Sequence, residues 1–142
     1  MAEEEIVVLD TSVVIKWFSD EEYTEQALEI RSWYVDNRIG VFVPDLLVYE
    51  LSNALRYNPD YDAADVEKAV TSVFDMDFEI VTPSESVIAS SVEIADENDL
   101  TVYDSTYIAL AKTLNAKVIT ADNELSEHPD AVHVDGWADS RE

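Results

Sequence analysis

Short apolar runs, each three or four residues long, recur along the chain between longer segments of mixed polarity. Several of these runs are almost continuously apolar. That pattern is typical of strands buried on both faces of a parallel sheet, rather than of strands with one face in water. It predicts five strands, at residues 6–9, 41–43, 78–81, 118–120 and 132–134.

The segments between these runs carry apolar residues three or four positions apart, which is the period of an α-helix. In the segment 45–57, for example, Leu47, Leu51 and Leu55 fall on one helical face. An Asn-Pro step at residues 58–59 separates this segment from the next one. The predicted helices are residues 13–18, 22–35, 45–57, 63–74, 85–97 and 105–114.

Strands that alternate with helices predict an α/β fold with three layers, α/β/α, around a short, mostly parallel five-stranded sheet. The 142 residues suffice for one such domain, which we expect to cover residues 1–142. In open sheets of this kind, ligands bind beyond the carboxyl ends of the strands, near the point where the strand order reverses. Candidate functional residues are therefore sought at that edge.

The composition narrows the class of protein. The chain has no cysteine, which excludes disulfide scaffolds, thiolate zinc sites and cysteine nucleophiles. Its two histidines are too few for a histidine-rich metal site. No apolar run approaches the ~20 residues that span a bilayer, and residues 1–5 are acidic, unlike the start of a secretory signal. We therefore expect a soluble cytoplasmic domain.

The net charge is unusual. The chain has 8 Lys and Arg residues against 32 Asp and Glu residues, a net charge of −24. Such a charge normally argues against a nucleic-acid partner, because phosphate binding depends on Lys and Arg. Near 1 M salt, however, the Debye length falls to about 3 Å, and surface carboxylates then repel RNA only at contact range. Dispersed carboxylates with few lysines favour a halophilic protein; the alternative is a protein that avoids nucleic acid in ordinary cytoplasm.

Four carboxylates occupy positions that favour a functional site. Asp10 follows the first predicted strand and Asp122 follows the fourth, so both are expected at the carboxyl edge of the sheet. Asp104 shares a helical face with Ile108 and Ala111, at the i+4 and i+7 positions, and that face should be the inner one.

Glu50 is the most informative of the four. It falls within the apolar arc of the helix predicted at 45–57, toward the margin that holds Asn53. An unpaired carboxylate in that position is costly to remove from water, and none of the eight cationic residues is obviously placed to pair with it. A bound cation would remove this cost.

Each of the four acids, taken alone, also fits a simpler role. Asp10, Asp104 and Asp122 each precede a helical run and could act as N-caps. Glu50 could be a partly exposed helix residue, and four well-placed carboxylates can arise by chance among 32. Capping explains neither a Glu on an apolar helix face nor two Asp residues at one sheet edge, so jointly the four favour a site for a hard cation. Nearby groups that could complete it belong to Thr11, Ser12, Asn53 and Thr120.

The surroundings of the four acids resemble a known family. The segments VVLDTSVVIKW (residues 7–17), PDLLVYELSNAL (44–55), VYDSTYIALA (102–111) and VITADNEL (118–125) are similar, in that order and with that approximate spacing, to the motifs of PIN domains. The similarity is to the VapC-type ribonuclease toxins of toxin–antitoxin systems. Each motif alone is weakly specific, whereas the ordered set spans nearly the whole chain.

The resemblance implies an endoribonuclease that cleaves single-stranded RNA. It assigns Asp10, Glu50, Asp104 and Asp122 to an acidic quartet that coordinates Mg²⁺ or Mn²⁺. It also implies a homodimer and inhibition by a cognate antitoxin protein. The few cations that lie near the expected site in the sequence, Lys16 and Arg56, are candidate RNA contacts.

The chemistry expected of such a site is hydrolysis. A hard divalent ion held by carboxylates lowers the pKa of a bound water and neutralises charge on a phosphodiester, with either one ion or two. His128 and His133 lie outside the acidic motifs, so a histidine acid–base pair is not expected. Attack by water would leave a 5′-phosphate and a 3′-hydroxyl.

Two other classes of protein remain open. A phosphoacceptor signalling domain also combines acidic strand ends with Mg²⁺, but it needs an acidic pair after the first strand and a lysine after a late strand. Here Asp10 has no acidic neighbour, and residues 118–125 contain no lysine. An aspartyl phosphohydrolase would carry Asp where this chain has Ser12. The remaining alternative is a non-catalytic PIN-like module that binds RNA or protein, which the presence of all four acids disfavours.

Overall fold

A computed structural model describes residues 5–139 and contains one five-stranded sheet. The predicted domain, residues 1–142, includes residues 1–4 and 140–142, which lie outside the described part, as does most of the acidic segment 1–5. The strand order is β3-β2-β1-β4-β5, and all four pairings are parallel. The strands are β1 (Glu5–Leu9), β2 (Ile39–Pro44), β3 (Glu79–Val81), β4 (Lys117–Thr120) and β5 (Ala131–His133).

Helices connect the strands. Two short 3₁₀ turns, Ile15–Trp17 and Leu125–Glu127, follow β1 and β4 at a distance of a few residues. The α-helices are α1 (Thr11–Val14), α2 (Thr24–Val35), α3 (Leu46–Arg56), α4 (Ala63–Asp75), α5 (Glu85–Asn98), α6 (Val102–Leu114) and α7 (Val134–Asp139). None of the helices in residues 5–139 is long and apolar enough to cross a membrane.

The strand order sets the layers. The chain moves outward from β1 through β2 to β3, then returns to the other side of β1 for β4 and β5. With right-handed crossovers, helices before β3 cover one face of the sheet, and α5 and α6 cover the other. Helix α6 contacts β1, β2 and β4 and packs along α5, whereas α7 packs against α2. The predicted α/β/α fold with a parallel five-stranded sheet is therefore confirmed.

The core lies between the central strands and the flanking helices. Val8, Leu9, Val118 and Ile119 are fully buried on the two middle strands, β1 and β4. This near-continuous burial explains why the strands are apolar without alternation, since both faces of a parallel sheet are covered.

The predicted strands are confirmed to within two residues at each end, whereas three helices differ from the prediction. Helix α2 begins at Thr24 rather than residue 22, because Tyr23 has a φ of 67° and cannot join a right-handed helix. Helix α6 begins three residues earlier than predicted, because the Thr101 side chain caps it. The predicted helix 13–18 is an α-helical turn, α1, followed by the first 3₁₀ turn.

Helix α7 was not predicted, and Val134 begins this helix rather than ending the last strand. It has six residues, one of them Gly136, so it is too short to show a helical period in the sequence. Its buried residues Val134 and Trp137 anchor it, and the Trp137 ring packs edge-on against Trp33 of α2 at 5.4 Å.

Candidate functional site

Acidic residues meet at the carboxyl edge of β1 and β4, the adjacent strands between which the strand order reverses. Asp10 directly follows β1, and its backbone N–H donates to the carbonyl of Ile119 on β4 at 3.3 Å. Thr120 ends β4, and Asp122 lies two residues further on. Parallel strands bring their carboxyl ends to the same edge, which is where ligands bind in open α/β sheets.

Asp10 is buried and held by hydroxyl groups. Its side chain is the N-cap of α1 and accepts hydrogen bonds from the backbone N–H of Ser12 at 3.0 Å and from the Ser12 hydroxyl at 2.5 Å. The Thr120 hydroxyl donates to its other oxygen at 2.6 Å. Burial raises the pKa of Asp10 to about 6, because these hydrogen bonds offset only part of the desolvation and the charge of Asp104 raises it further.

Glu50 lies on α3 and is half-buried, at the margin of a face whose buried residues are Leu47, Leu51 and Leu55. Its Oε1 atom accepts a hydrogen bond from the Tyr107 hydroxyl at 2.6 Å and another from the Thr11 hydroxyl at 2.9 Å. In the part of the chain that the structure describes, no Lys, Arg or His forms an ion pair with Glu50. Neutral hydroxyls therefore satisfy one oxygen of this carboxylate.

Asp104 lies in the first turn of α6, half-buried. Burial raises its pKa, and the negative charges of Asp122 and Glu50 raise it further. These interactions, with that between Asp10 and Asp104, place the four carboxylates in one electrostatic cluster. Such a cluster of like charges is the environment that a bound cation stabilises.

Asp122 is exposed and shapes the turn after β4. Its Oδ1 atom accepts hydrogen bonds from the backbone N–H groups of Glu124 at 2.8 Å and Leu125 at 3.0 Å, and its own N–H donates to the Thr120 hydroxyl at 3.0 Å. Of the three Asp residues, Asp10 acts as an N-cap, whereas Asp122 accepts from backbone groups of the turn without being the N-cap of the second 3₁₀ turn. Asp104 is not a cap, because Thr101 is the N-cap of α6.

The donor chemistry of the cluster fits a hard divalent cation, because it consists of carboxylates with hydroxyls beside them. Within residues 5–139, however, no group of three or more Asp, Glu or His side chains is arranged so that it could hold an ion. The fit therefore rests on the kind of donors and on their mutual repulsion, and not on a preformed cage.

The four supporting residues divide into two groups. Ser12 and Thr120 contact Asp10, and Thr11 contacts Glu50. Asn53, in contrast, is exposed one turn beyond Glu50 on α3 and lines an open groove of about 430 Å³ between α3 and α4.

The two candidate RNA contacts differ in availability. Lys16 is buried, and its ammonium group pairs with Glu21 at 3.2 Å. Arg56 is exposed at the end of α3, lines the same groove as Asn53, and has its guanidinium carbon 5.4 Å from the ring centroid of Tyr57. Arg56 is thus the more accessible of the two to a phosphate.

Tyr107 is not among the predicted site residues, yet it is 1% exposed and donates to Glu50. A signal was present: Tyr107 follows Asp104 by three residues, so it shares the inner face of α6. A tyrosine buried on such a face needs a partner for its hydroxyl, and the acidic cluster is an available one.

Comparisons with known proteins identify the family and the fold of this chain. The model of the PIN domain family matches residues 7–131. No protein in the search of curated sequences gives a significant match.

Solved structures share the fold at low sequence identity. PAE2754 from Pyrobaculum aerophilum has a TM-score of 0.69 at 21% identity, with 96% of this chain and 94% of that chain covered. A toxin–antitoxin complex from Klebsiella pneumoniae gives 0.68 at 20%, covering 90% and 97%. The VapC20 toxin of Mycobacterium tuberculosis, which is described as cleaving the sarcin–ricin loop, gives 0.68 at 13%, covering 85% and 93%.

The predicted resemblance to PIN domains is therefore confirmed. The family model covers most of the chain, and the solved structures share its fold. The chain belongs to the PIN domain family.

Proposed function

We propose that the protein is an endoribonuclease that uses Mg²⁺ or Mn²⁺ to hydrolyse phosphodiester bonds in single-stranded RNA, as the toxin of a toxin–antitoxin pair. The observation that carries this proposal is the cluster of four carboxylates at the switch point of a PIN fold, two of which have raised pKa values. Ordinary surface acids are not expected to gather as like charges near one sheet edge. Within residues 5–139, no cationic side chain forms an ion pair with these four.

The residues that would hold the ion are Asp10, Glu50, Asp104 and Asp122. When bound, the ion would activate a water and neutralise charge on the phosphodiester, and the products would be a 5′-phosphate and a 3′-hydroxyl. Ser12 and Thr120 orient Asp10, and Thr11 and Tyr107 orient Glu50. Burial of Asp10 among these groups limits competition from bulk water.

Among the described residues, neither His128 nor His133 forms a hydrogen bond or an ion pair with any of the four carboxylates, which supports a mechanism without a histidine acid–base pair. His128 follows the 3₁₀ turn after β4, and its Nδ1 atom lies 3.8 Å from Asp130. His133 ends β5, an edge strand, and packs edge-on against Tyr23 at 4.9 Å.

The partners follow from the relatives. The Klebsiella structure is a toxin–antitoxin complex, and VapC20 is described as a toxin that cleaves the sarcin–ricin loop. By analogy we propose an RNA substrate and a cognate antitoxin for this protein. The homodimeric state is proposed from the resemblance to VapC-type toxins, and the cytoplasmic location from the sequence. The net charge of −24 leads us to propose that it works in concentrated salt.

The phosphoacceptor alternative has less support. That chemistry needs a lysine that follows a late strand, at the carboxyl edge of the sheet, but Lys117 begins β4 at the opposite end and donates to the carbonyl of Pro129 at 2.8 Å. A non-catalytic binding module would have no need of Asp10 as a buried carboxylate with a raised pKa.

The test is cleavage of a labelled single-stranded RNA by the purified protein with Mg²⁺ or Mn²⁺, repeated in EDTA. We expect cleavage that EDTA abolishes, and loss of at least ~100-fold in Asp10→Asn and Asp122→Asn, because each removes an anionic ligand and keeps the capping oxygen. Asp36→Asn, at the end of α2, is the matched control and should cleave like wild type. Cleavage that persists in EDTA, or in both site variants, would exclude this function.

A further inference from the structure

The two carboxylate oxygens of Glu50 differ in their hydrogen bonding. Oε1 accepts both hydrogen bonds, from Tyr107 at 2.6 Å and from Thr11 at 2.9 Å. Among the described residues, no hydrogen bond or ion pair reaches Oε2. One carboxylate oxygen is thus fixed by the protein, and the other is available.

The two donors also contact each other. The hydroxyl oxygens of Thr11 and Tyr107 lie 3.0 Å apart. With Glu50 Oε1 they form a closed triangle of three oxygens. Each hydroxyl has one proton to donate. When both hydroxyls donate to Oε1, neither has a proton left to donate to the other.

Tyr107 is a dependable donor in this triangle. Its side chain is 1% exposed, so water does not compete for the proton. Burial, followed by the negative charge of Glu50, raises the pKa of the phenol far above its ordinary value. The phenol hydroxyl therefore has Glu50 Oε1 as its acceptor, at 2.6 Å.

The triangle joins three elements of the fold. Thr11 opens α1 next to Asp10, Glu50 lies on α3, and Tyr107 lies on α6 one turn after Asp104. The contacts span 39, 57 and 96 positions in sequence. The orientation of Glu50 is therefore tied to the two elements that carry Asp10 and Asp104.

We propose that Tyr107, together with Thr11, is a positioning residue that locks Glu50 Oε1 so that the carboxylate presents only Oε2 to the metal. The inference rests on the proposed metal-dependent function. Groups that hydrogen-bond to metal-ligating carboxylates fix their orientation, and removing one typically lowers metal affinity by about 10- to 100-fold.

The test measures binding of Mn²⁺ alone by calorimetry, with melting curves in EDTA. Tyr107→Phe keeps the ring and removes the hydroxyl, and we expect it to weaken Mn²⁺ binding by about 10-fold or more. Thr11→Val should weaken it by less, because the shorter bond to Tyr107 remains. Tyr103→Phe, on the same helix but 63% exposed, is the matched control and should bind like wild type.

A double-mutant cycle separates positioning from packing. In a Glu50→Gln background, Tyr107→Phe should cause no further loss of Mn²⁺ affinity, because the group that Tyr107 orients is already changed.

Excess Mn²⁺ should restore the cleavage rate of Tyr107→Phe. A purely structural defect would instead lower the melting temperature in EDTA without changing the Mn²⁺ affinity.

The outcomes distinguish the two proposals. If the wild-type protein binds no Mn²⁺, the metal-dependent function is wrong and the positioning role is overturned with it. If the wild type binds Mn²⁺ and both Tyr107→Phe and Thr11→Val bind it within about twofold of the wild type, only the positioning role is overturned. Should Tyr107→Phe fail to fold, the affinity of Thr11→Val decides.

Discussion

The Thr120 hydroxyl lies 2.6 Å from Oδ2 of Asp10, so the last residue of β4 fixes the first acidic residue after β1. Thr120 is fully buried, and Asp10 is 6% exposed. Thr120→Val keeps the shape of the side chain and removes the hydroxyl. We expect a loss of about 1–3 kcal/mol in the free energy of unfolding at pH 7.5, because a buried carboxylate loses a donor.

Urea denaturation in EDTA measures this loss. Thr113→Val is the matched control, because the Thr113 hydroxyl donates to a helix carbonyl and contacts no carboxylate. A loss in Thr120→Val no larger than in Thr113→Val would show that the hydroxyl does not support Asp10.

The raised pKa of Asp10 makes the stability of the metal-free protein depend on pH. The pKa is about 6 in the folded protein against 3.8 for the ordinary group, so the folded state binds this proton more tightly than the unfolded chain does. The free energy of unfolding therefore falls as pH rises from about 4 to about 6, by an amount on the order of 3 kcal/mol from this group.

Asp10→Asn removes that dependence. In EDTA it should be more stable than wild type at pH 7.5, and this advantage should shrink at pH 4.5, where Asp10 is protonated. Asp36→Asn is the control, because it makes the same change at an exposed carboxylate and should show no such dependence of stability on pH. An equal difference between Asp10→Asn and wild type at both pH values would contradict the raised pKa.

Glu50→Gln should separate stability from activity. The amide keeps an oxygen to accept from Tyr107 and Thr11, and it removes a negative charge that raises the pKa of Asp104. We expect a melting temperature in EDTA equal to or above that of wild type, with RNA cleavage abolished. If Glu50 were an ordinary helix residue, stability would change by less than about 0.5 kcal/mol and cleavage would persist.

Salt should stabilise the fold. With 32 acidic and 8 basic residues, self-repulsion is strong at low ionic strength. The Debye length falls from about 10 Å at 0.1 M to about 3 Å at 1 M, so the melting temperature should rise from about 0.1 M to about 2 M KCl, and cleavage should persist at the upper end. A melting temperature that stays flat over this range would argue against a halophilic protein and against an RNA substrate.

Arg56 should contribute to RNA binding rather than to the chemical step. It is exposed in the α3–α4 groove about 1.7 turns beyond Glu50, and its guanidinium is available there to a phosphate of the bound RNA. We expect Arg56→Gln to raise KM for RNA severalfold with little change in kcat. Arg31→Gln, on the exposed side of α2, is the control. An unchanged KM in Arg56→Gln would show that Arg56 does not contribute to RNA binding.

The sequence predicted most of the framework, because the features that mark it are local. Apolar runs mark the strands, and the positions of Asp10 and Asp122 follow from where two strands end. The half-buried position of Glu50 likewise follows from helical periodicity, which the burial of Leu47 and Leu51 confirms. These features depend on residues close together in the chain.

The contacts that organise the site could not be predicted in the same way. Tyr107 and Glu50 are 57 positions apart, and Thr120 and Asp10 are 110 apart, so only the packing of α3, α6, β1 and β4 brings their oxygens together. The pairing of Lys16 with Glu21 is local, but it depends on the course of the loop before α2, where Tyr23 has a positive φ. Periodicity carries no information about such a loop.

In the proposed reaction, carboxylates and a divalent ion direct water at a phosphodiester. Cleavage of single-stranded RNA with Mg²⁺ in H₂¹⁸O, followed by mass spectrometry of the fragments, distinguishes attack by water from attack by the ribose 2′-hydroxyl. We predict that ¹⁸O appears in the 5′-phosphate of the downstream fragment and that the upstream fragment ends in a 3′-hydroxyl. A 2′,3′-cyclic phosphate on the upstream fragment, with no ¹⁸O in a 5′-phosphate, would contradict hydrolysis by water.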